Sequence, residues 1–110
     1  QIEDIEGVEN IEEIMSVPGV DIGFLGPNDL GLAMGLRPGE MAKSSEHRRM
    51  LERVLEGCKK TGKPAGIPVA NGAEANQWIA RGFQMIDLSN DLALLRNAVR
   101  SELAAIRQPE

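Results

Sequence analysis

The residues in this sequence with the clearest capacity for chemistry are acids placed just past short apolar runs. Glu3 follows Gln1-Ile2, Asp29 follows Gly26-Pro27-Asn28, and Asp87, Ser89, Asn90 and Asp91 crowd the end of a third run. If the first two runs are neighbouring parallel strands, their backbones lie about 4.8 Å apart, and both acids sit at the C-terminal strand ends where parallel βα folds carry their reactive groups. Two carboxylates so placed can converge on one hard cation. Magnesium and manganese take oxygen ligands, commonly one or two carboxylates, with water and substrate oxygens filling the remaining positions. Gly26-Pro27-Asn28-Asp29-Leu30 adds a glycine for close approach, a proline that fixes the turn, and two backbone N–H groups able to bind a carboxylate. A cation beside such donors suits a 2-keto acid. The same residues also fit a plainer reading, with Glu3 an exposed acid and Asp29 a helix or turn cap. Spacing alone does not choose between the two.

The elements that would position these side chains follow from apolar periodicity. Val8, Ile11, Ile14 and Met15 recur at helical spacing, with Glu9, Glu12 and Glu13 turned to solvent, and Pro18-Gly19 ends that helix. Asp21 to Leu25 reads as a short buried strand, and a long loop is expected after Gly26-Pro27. Ser44 or Ser45 can cap a helix whose stripe is Met50, Leu51, Val54, Leu55 and Cys58 and whose end is Thr61-Gly62. A strand from Ala65 to Val69 follows, interrupted by Pro68, where a bulge or an early strand end is expected. Ala73 to Arg81 reads as a helix with Ala75, Trp78 and Ile79 inward, stopped by Gly82. Met85 to Ser89 is the last strand. Asp91 then caps a final helix with the stripe Leu92, Leu95, Val99, Leu103 and Ile106, its later turns favoured by Arg96, Arg100 and Arg107. With Gln1 to Glu3 as the tail of an earlier strand, the βα alternation implies a parallel sheet. An open doubly wound sheet and part of a barrel remain equally compatible with it.

Composition narrows the classes of function. A net charge of −5 gives no basic footprint for nucleic acid, and no apolar run is long enough to span a bilayer. The single cysteine, Cys58, excludes an internal disulfide and a cysteine-rich zinc site. No leader with a cleavage site opens the sequence, so a cytoplasmic address is expected. Cys58 lies on an apolar stripe and reads as a buried structural thiol. His47, beside Glu46, Arg48 and Arg49, reads as a surface residue. Trp78 reads as a core or interface residue. At 110 residues the chain falls short of the roughly 250 that a closed (β/α)₈ barrel needs. It starts at Gln1 inside a motif-like stretch, which leads to the expectation that sequence upstream has been cut away.

Gln1-Ile2-Glu3, Gly7-Val8-Glu9-Asn10-Ile11 and Gly26-Pro27-Asn28-Asp29-Leu30 together resemble the HpcH/HpaI aldolase family of metal-dependent (class II) pyruvate aldolases. Gly62-Lys63-Pro64-Ala65-Gly66, Gly82-Phe83, Asp91-Leu92 and Leu94-Leu95 extend the similarity over the chain. The resemblance implies a TIM barrel of which residues 1–110 are the C-terminal half, a single partial domain from the end of strand 5 through helix 8. It implies that Glu3 and Asp29 are the protein ligands of Mg²⁺ or Mn²⁺ and that Gln1 hydrogen-bonds the substrate. Asn28 and Asp29 would offer backbone N–H groups to its carboxylate, within the substrate-binding loop that Gly26 and Pro27 open. The implied reaction is aldol cleavage or formation of 2-keto-3-deoxy or 4-hydroxy-2-keto acids from pyruvate and an aldehyde. The histidine base and an arginine are expected upstream, so no catalytic base is expected within this chain and the isolated fragment is expected to be inactive. Gly31 stands where a serine is often seen, and Pro68 aligns with a position that faces the aldehyde. The resemblance further implies a homo-oligomer in which the segment Asp91 to Arg107 packs on a neighbour. The alternatives are a non-catalytic half-barrel that associates through its open edges, or a related oxaloacetate decarboxylase or acyl-CoA lyase.

Overall fold

The computed structural model describes residues 1–106. The order is α1 (Ile5–Glu9), α2 (Ile11–Ser16), β1 (Gly23–Phe24), α3 (Pro27–Ala33), a 3₁₀ turn at Met41–Lys43, α4 (Ser45–Lys60), β2 (Ala65–Val69), α5 (Gly72–Arg81), β3 (Met85–Leu88) and α6 (Asp91–Ala105). The three strands run parallel in the order β1-β2-β3, and Ile2 adds a parallel bridge to Leu25 on the outer side of β1. The expected βα alternation and parallel sheet are therefore present. Arg107, counted among the cations of the last helix, lies outside the described residues.

The register divides the sheet into two faces. Side chains alternate along a strand, and Ile2, Leu25, Ala65, Ile67 and Val69 all point to the face covered by helices, where they are buried. Against them pack Val8 of α1, Ile11 and Met15 of α2, and Leu51, Val54, Leu55 and Cys58 of α4. Close approach depends on two glycines: a Cβ at Gly23 would fall 2.4 Å from Cys58 Sγ, and one at Gly57 would fall 2.5 Å from Ile11 Cγ2. The opposite face carries Phe24, Gly66, Pro68, Met85 and Asp87, and no helix among the described residues covers it; Met85 and Asp87 are exposed.

Several expectations are corrected. The helix expected over Val8 to Met15 is two helices that meet at Asn10; the first starts earlier, where the Asp4 side chain accepts from the Gly7 N–H at 2.7 Å. Asp21 and Ile22 stay outside β1 because the ladder begins with the Gly23 N–H donating to the Pro64 carbonyl, one residue before β2 starts. The long loop after Gly26-Pro27 opens instead with α3, Gly26 as N-cap and Pro27 at its first position, where proline's missing donor is of no consequence. Pro68 makes no bulge: it pairs in register with Asp87. Pro64 and Gly66 accept from β1, whereas Ala65 and Val69 accept from the side of β3, so Pro68 directs its missing N–H toward β1 beyond that strand's end. Ile79 is exposed rather than inward. Glu74 instead ties the start of α5: it donates its N–H to Asn71 Oδ1 and its carboxylate accepts from the Ala70 N–H.

The last helix departs furthest from expectation. Its N-cap is Asn90, which accepts from the Ala93 N–H at 2.8 Å, and Asp91 is the first helical residue. Its apolar residues are less segregated to one face than those of α4, and α6 buries no residue, with Leu92, Leu95, Val99 and Leu103 between 48% and 69% exposed. The molecule is elongated as a result. Its radius of gyration is 17.0 Å, against roughly 13 Å for a compact chain of this size.

Candidate active site

Ile2 is seated in the core, its N–H donating to the Phe24 carbonyl at 2.7 Å and its carbonyl accepting from the Gly26 N–H at 2.7 Å. Alternation then turns its neighbours Gln1 and Glu3 to the uncovered face. They meet over Gly26, where a Cβ would fall 2.8 Å from Gln1 Nε2 and 2.9 Å from Glu3 Oε2. Any other residue at position 26 would displace one of them, so the glycine keeps open the space into which both polar ends reach.

From that point α3 begins. Asp29 lies in its first turn, and buried Leu30 anchors the helix through its N–H to the Gly26 carbonyl at 3.0 Å. The N–H groups of Asn28 and Asp29 fall among those that a helix start leaves without an intrahelical acceptor. Gly31 is buried against the Met41 side chain, with a Cβ there falling 2.6 Å from Met41 Sδ, so a serine at this position would have to displace that flexible thioether.

His47 was expected at the surface and is instead 6% exposed, the buried polar residue of the core. Its Nε2 donates to the Pro27 carbonyl at 2.7 Å, holding the first residue of α3 from the first turn of α4. Its place there is set by Ser44, whose Oγ accepts from the His47 N–H at 3.1 Å. A signal for this was present in the sequence, because His47 stands four residues before Leu51 and seven before Val54, on the buried stripe of that helix. Charged neighbours at 46, 48 and 49 concealed it. Cys58 is buried as expected; burial pushes its thiol up from the ordinary value of 9.0, offset in part by a hydrogen bond with the Gly23 backbone. Trp78 is partly buried and stacks edge-on with Phe83 at 5.3 Å, with the Arg81 guanidinium over its ring.

The registers also align residues across the uncovered face. Ile2 pairs with Leu25, Phe24 with Gly66, and Pro68 with Asp87. Extending these pairs by one or two residues places Glu3, Gly26, Pro68 and Asp87 in one row at the C-terminal end of the sheet. Gln1, Phe24, Gly66 and Met85 form the row beneath. A concavity of about 810 Å³ lies at the same end of the sheet, walled mainly by α4, α5, α6 and the covered-face residues Ile67 and Val69, with Pro27, Asn28, Pro68 and Asp87 at its border; Gln1, Glu3 and Asp29 are not part of that wall.

The fit of a divalent cation rests on the donor set. Glu3 and Asp29 supply hard carboxylate oxygens at the same end of the sheet, and the missing Cβ of Gly26 leaves room at Glu3 Oε2. Among the described residues no group of three or more His, Cys, Asp or Glu comes together. A cation held there by Glu3 and Asp29 would take its other ligands from water and substrate oxygens.

Comparison with known proteins agrees in sequence and in shape. The model of a family described as HpcH/HpaI aldolase/citrate lyase matches residues 1–98. A hydroxypyruvate/pyruvate aldolase of Rhizorhabdus wittichii is 37% identical over 106 residues, which are 96% of this chain and 42% of that protein. A 5-keto-4-deoxy-D-glucarate aldolase of Klebsiella pneumoniae is 33% identical over 108 residues, 98% of this chain and 41% of that one. The crystal structure of an HpcH/HpaI aldolase/citrate lyase family protein from Burkholderia cenocepacia superposes with a TM-score of 0.91 at 34% identity, over 98% of this chain and 41% of that one. An HpcH/HpaI aldolase from Desulfitobacterium hafniense superposes at 0.85 with 30% identity, over 100% and 42%. The chain thus spans about two fifths of the length of the relatives it matches.

Proposed function

The chain belongs to the HpcH/HpaI aldolase/citrate lyase family, with the α/β fold of half a TIM barrel, and on that premise we propose that it supplies the metal and pyruvate-carboxylate site of a class II aldolase. Its substrates are 2-keto-3-deoxy or 4-hydroxy-2-keto acids, cleaved to or formed from pyruvate and an aldehyde. The observation that carries this reading is the convergence of Glu3 and Gln1 over Gly26, at the point where the chain turns into α3 with Asn28 and Asp29 in its first turn.

The role of each residue follows from its chemistry. Glu3 and Asp29 hold Mg²⁺ or Mn²⁺ through carboxylate oxygens. Asn28 and Asp29 direct backbone N–H groups to the carboxylate of the keto acid, where the partial positive charge of a helix start favours an anion. The Gln1 amide, reaching to the same opening, donates a hydrogen bond to a substrate oxygen. Pro27 fixes the entry into α3 and His47 holds its carbonyl. The bound cation supplies Lewis-acid polarisation of the keto group. The base and the arginine belong to the other part of the barrel. The assignment of residues 1–110 to strand 5 through helix 8 is part of the same proposal, as is a cytoplasmic address, in keeping with one free buried cysteine and with no described helix long and apolar enough to cross a membrane.

A homo-oligomer is the other part of the reading. The apolar residues of α6 that are uncovered among the described residues are the surface this reading assigns to a neighbouring subunit. The alternative, a non-catalytic half-barrel that associates through its open strand edges, predicts no metal-dependent exchange, and the following experiment separates the two.

In the polypeptide encoded by the full reading frame that carries these residues, Glu3→Ala and Asp29→Ala should each weaken Mn²⁺ binding in a calorimetric titration. Each should also slow metal-dependent deuterium exchange into the pyruvate methyl group by roughly a hundredfold or more. Unchanged exchange and unchanged Mn²⁺ affinity in both variants would reject the assignment.

A further inference from the structure

Asp87 is the acid at the end of the third strand that the proposed metal site leaves unused. It sits on β3 in register with Pro68 of β2, and that row continues through Gly26 to Glu3. From Glu3 to Asp87 is three strand spacings, about 14 Å between backbones. The interior of the row is nearly free of side chain: Gly26 has none, and Pro68 presents only a short ring. Two carboxylates thus face the same trough from its two ends. Asp87 is exposed and takes part in no ion pair among the described residues; the concavity it borders with Asn28 and Pro68 does not include Glu3, so the shared row, not that concavity, relates the two acids.

An acid on the inner wall of a barrel strand is an unusual choice for filling space. In the row beneath, the three positions nearest it, Met85, Gly66 and Phe24, are apolar or lack a side chain, and the polar Gln1 lies at the Glu3 end. A carboxylate accepts hydrogen bonds and donates none, and it repels a second carboxylate. The other charged groups around the same concavity are Glu74, Arg48, Arg81 and Arg96, with Arg81 seated over the Trp78 ring and Glu74 holding the Ala70 N–H.

We propose that Asp87 is a specificity-determining residue: it accepts a hydrogen bond from a hydroxyl at the far end of the aldehyde, and it disfavours aldehydes that end in a carboxylate. The inference rests on the reading of Glu3 and Asp29 given above. With pyruvate bound at the Glu3 end of the row, the new carbon–carbon bond extends the chain over Gly26 and Pro68, toward Asp87. A short hydroxyaldehyde brings its terminal hydroxyl there.

The test uses the polypeptide of the full reading frame, with pyruvate as donor and three three-carbon acceptors: glyceraldehyde, propionaldehyde and malonate semialdehyde. Asp87→Ala should lower the kcat/KM ratio of glyceraldehyde to propionaldehyde about tenfold, as expected for one lost hydrogen bond to a charged acceptor. Asp87→Asn, which keeps an acceptor oxygen without the charge, should retain most of that ratio and raise malonate semialdehyde relative to glyceraldehyde. Because each result is a ratio within one variant, a partial loss of folded protein does not alter it. Ratios that stay within about twofold of the parent in Asp87→Ala overturn the proposal. Deuterium exchange into pyruvate needs no aldehyde and tells the two readings apart. Exchange in the parent with flat ratios removes Asp87 alone, and no exchange in the parent removes the Glu3–Asp29 site and this inference with it.

Discussion

Helices α4 and α6 are nearly equal in length and both repeat apolar residues at helical spacing, more sharply segregated to one face in α4 than in α6, yet one is the centre of the core and the other buries none of its residues. On α4, Leu51, Val54, Leu55 and Cys58 are buried between the sheet and α2. On α6, Leu92, Leu95, Val99 and Leu103 stand in the open. The same division runs through the sheet, with Ile67 and Val69 packed on one face and Met85 and Asp87 bare on the other. An amphipathic stripe records that a surface was selected to be covered. It does not record what covers it, because the hydrophobic effect has no direction and depends only on the area withdrawn from water.

The sharpest way to break this contrast is a matched pair of truncations. Leu25→Ala, in the packed region, should destabilise the chain by about 3 kcal/mol, a lost transfer energy plus a cavity. Leu95→Ala should change the stability of the isolated chain by less than about 0.5 kcal/mol, while reducing self-association in sedimentation velocity. Comparable urea midpoint shifts in the two variants would mean that α6 has a cover within the chain.

A smaller effect is expected where the packed region meets the candidate site. His47→Leu removes the donor to the Pro27 carbonyl and leaves a buried acceptor without a partner, at a loss of roughly 1–3 kcal/mol. Amide exchange at the start of α3 should rise more than in the centre of α4. Equal protection at both places would show that His47 merely fills space. His47→Gln, which can still donate, should restore part of the loss.

The smallest effect is the pH response of the core. Burial raises the Cys58 thiol above its ordinary 9.0, so between the unfolded and folded values the folded chain binds more protons than the unfolded one. Its stabilising contribution is therefore complete below about pH 9 and declines as pH rises through the folded value. Cys58→Ala should lose that alkaline slope while costing stability at neutral pH through a small cavity. Persistence of the slope in the variant would assign it to another group.

Much of this was legible in the residues. The βα order, the strand Ala65–Val69, the last strand read as Met85 to Ser89 and found one residue shorter, the buried stripe of α4 and the glycine stop at Gly82 follow from local patterning, because neighbours in sequence decide helix and strand periodicity. The pairing of Gln1-Ile2-Glu3 with Gly-Pro-Asn-Asp-Leu identified the family, since motif spacing survives without coordinates. Pro27 was misread because proline serves both a turn and the first residue of a helix, and only the packing of Leu30 distinguishes them. Asn90 was passed over for Asp91 because adjacent Asn and Asp are equally good caps and one residue of register decides between them.

Sequence by itself determined which elements form and which side chains carry charge at strand ends. Tertiary structure alone decided the parallel register, and with it the row from Glu3 to Asp87, the harmless direction of Pro68, the His47 bond to the Pro27 carbonyl and the exposure of α6. The reason is physical: periodicity is a property of a few consecutive residues, whereas register and burial depend on contacts between segments tens of residues apart, which no local pattern encodes.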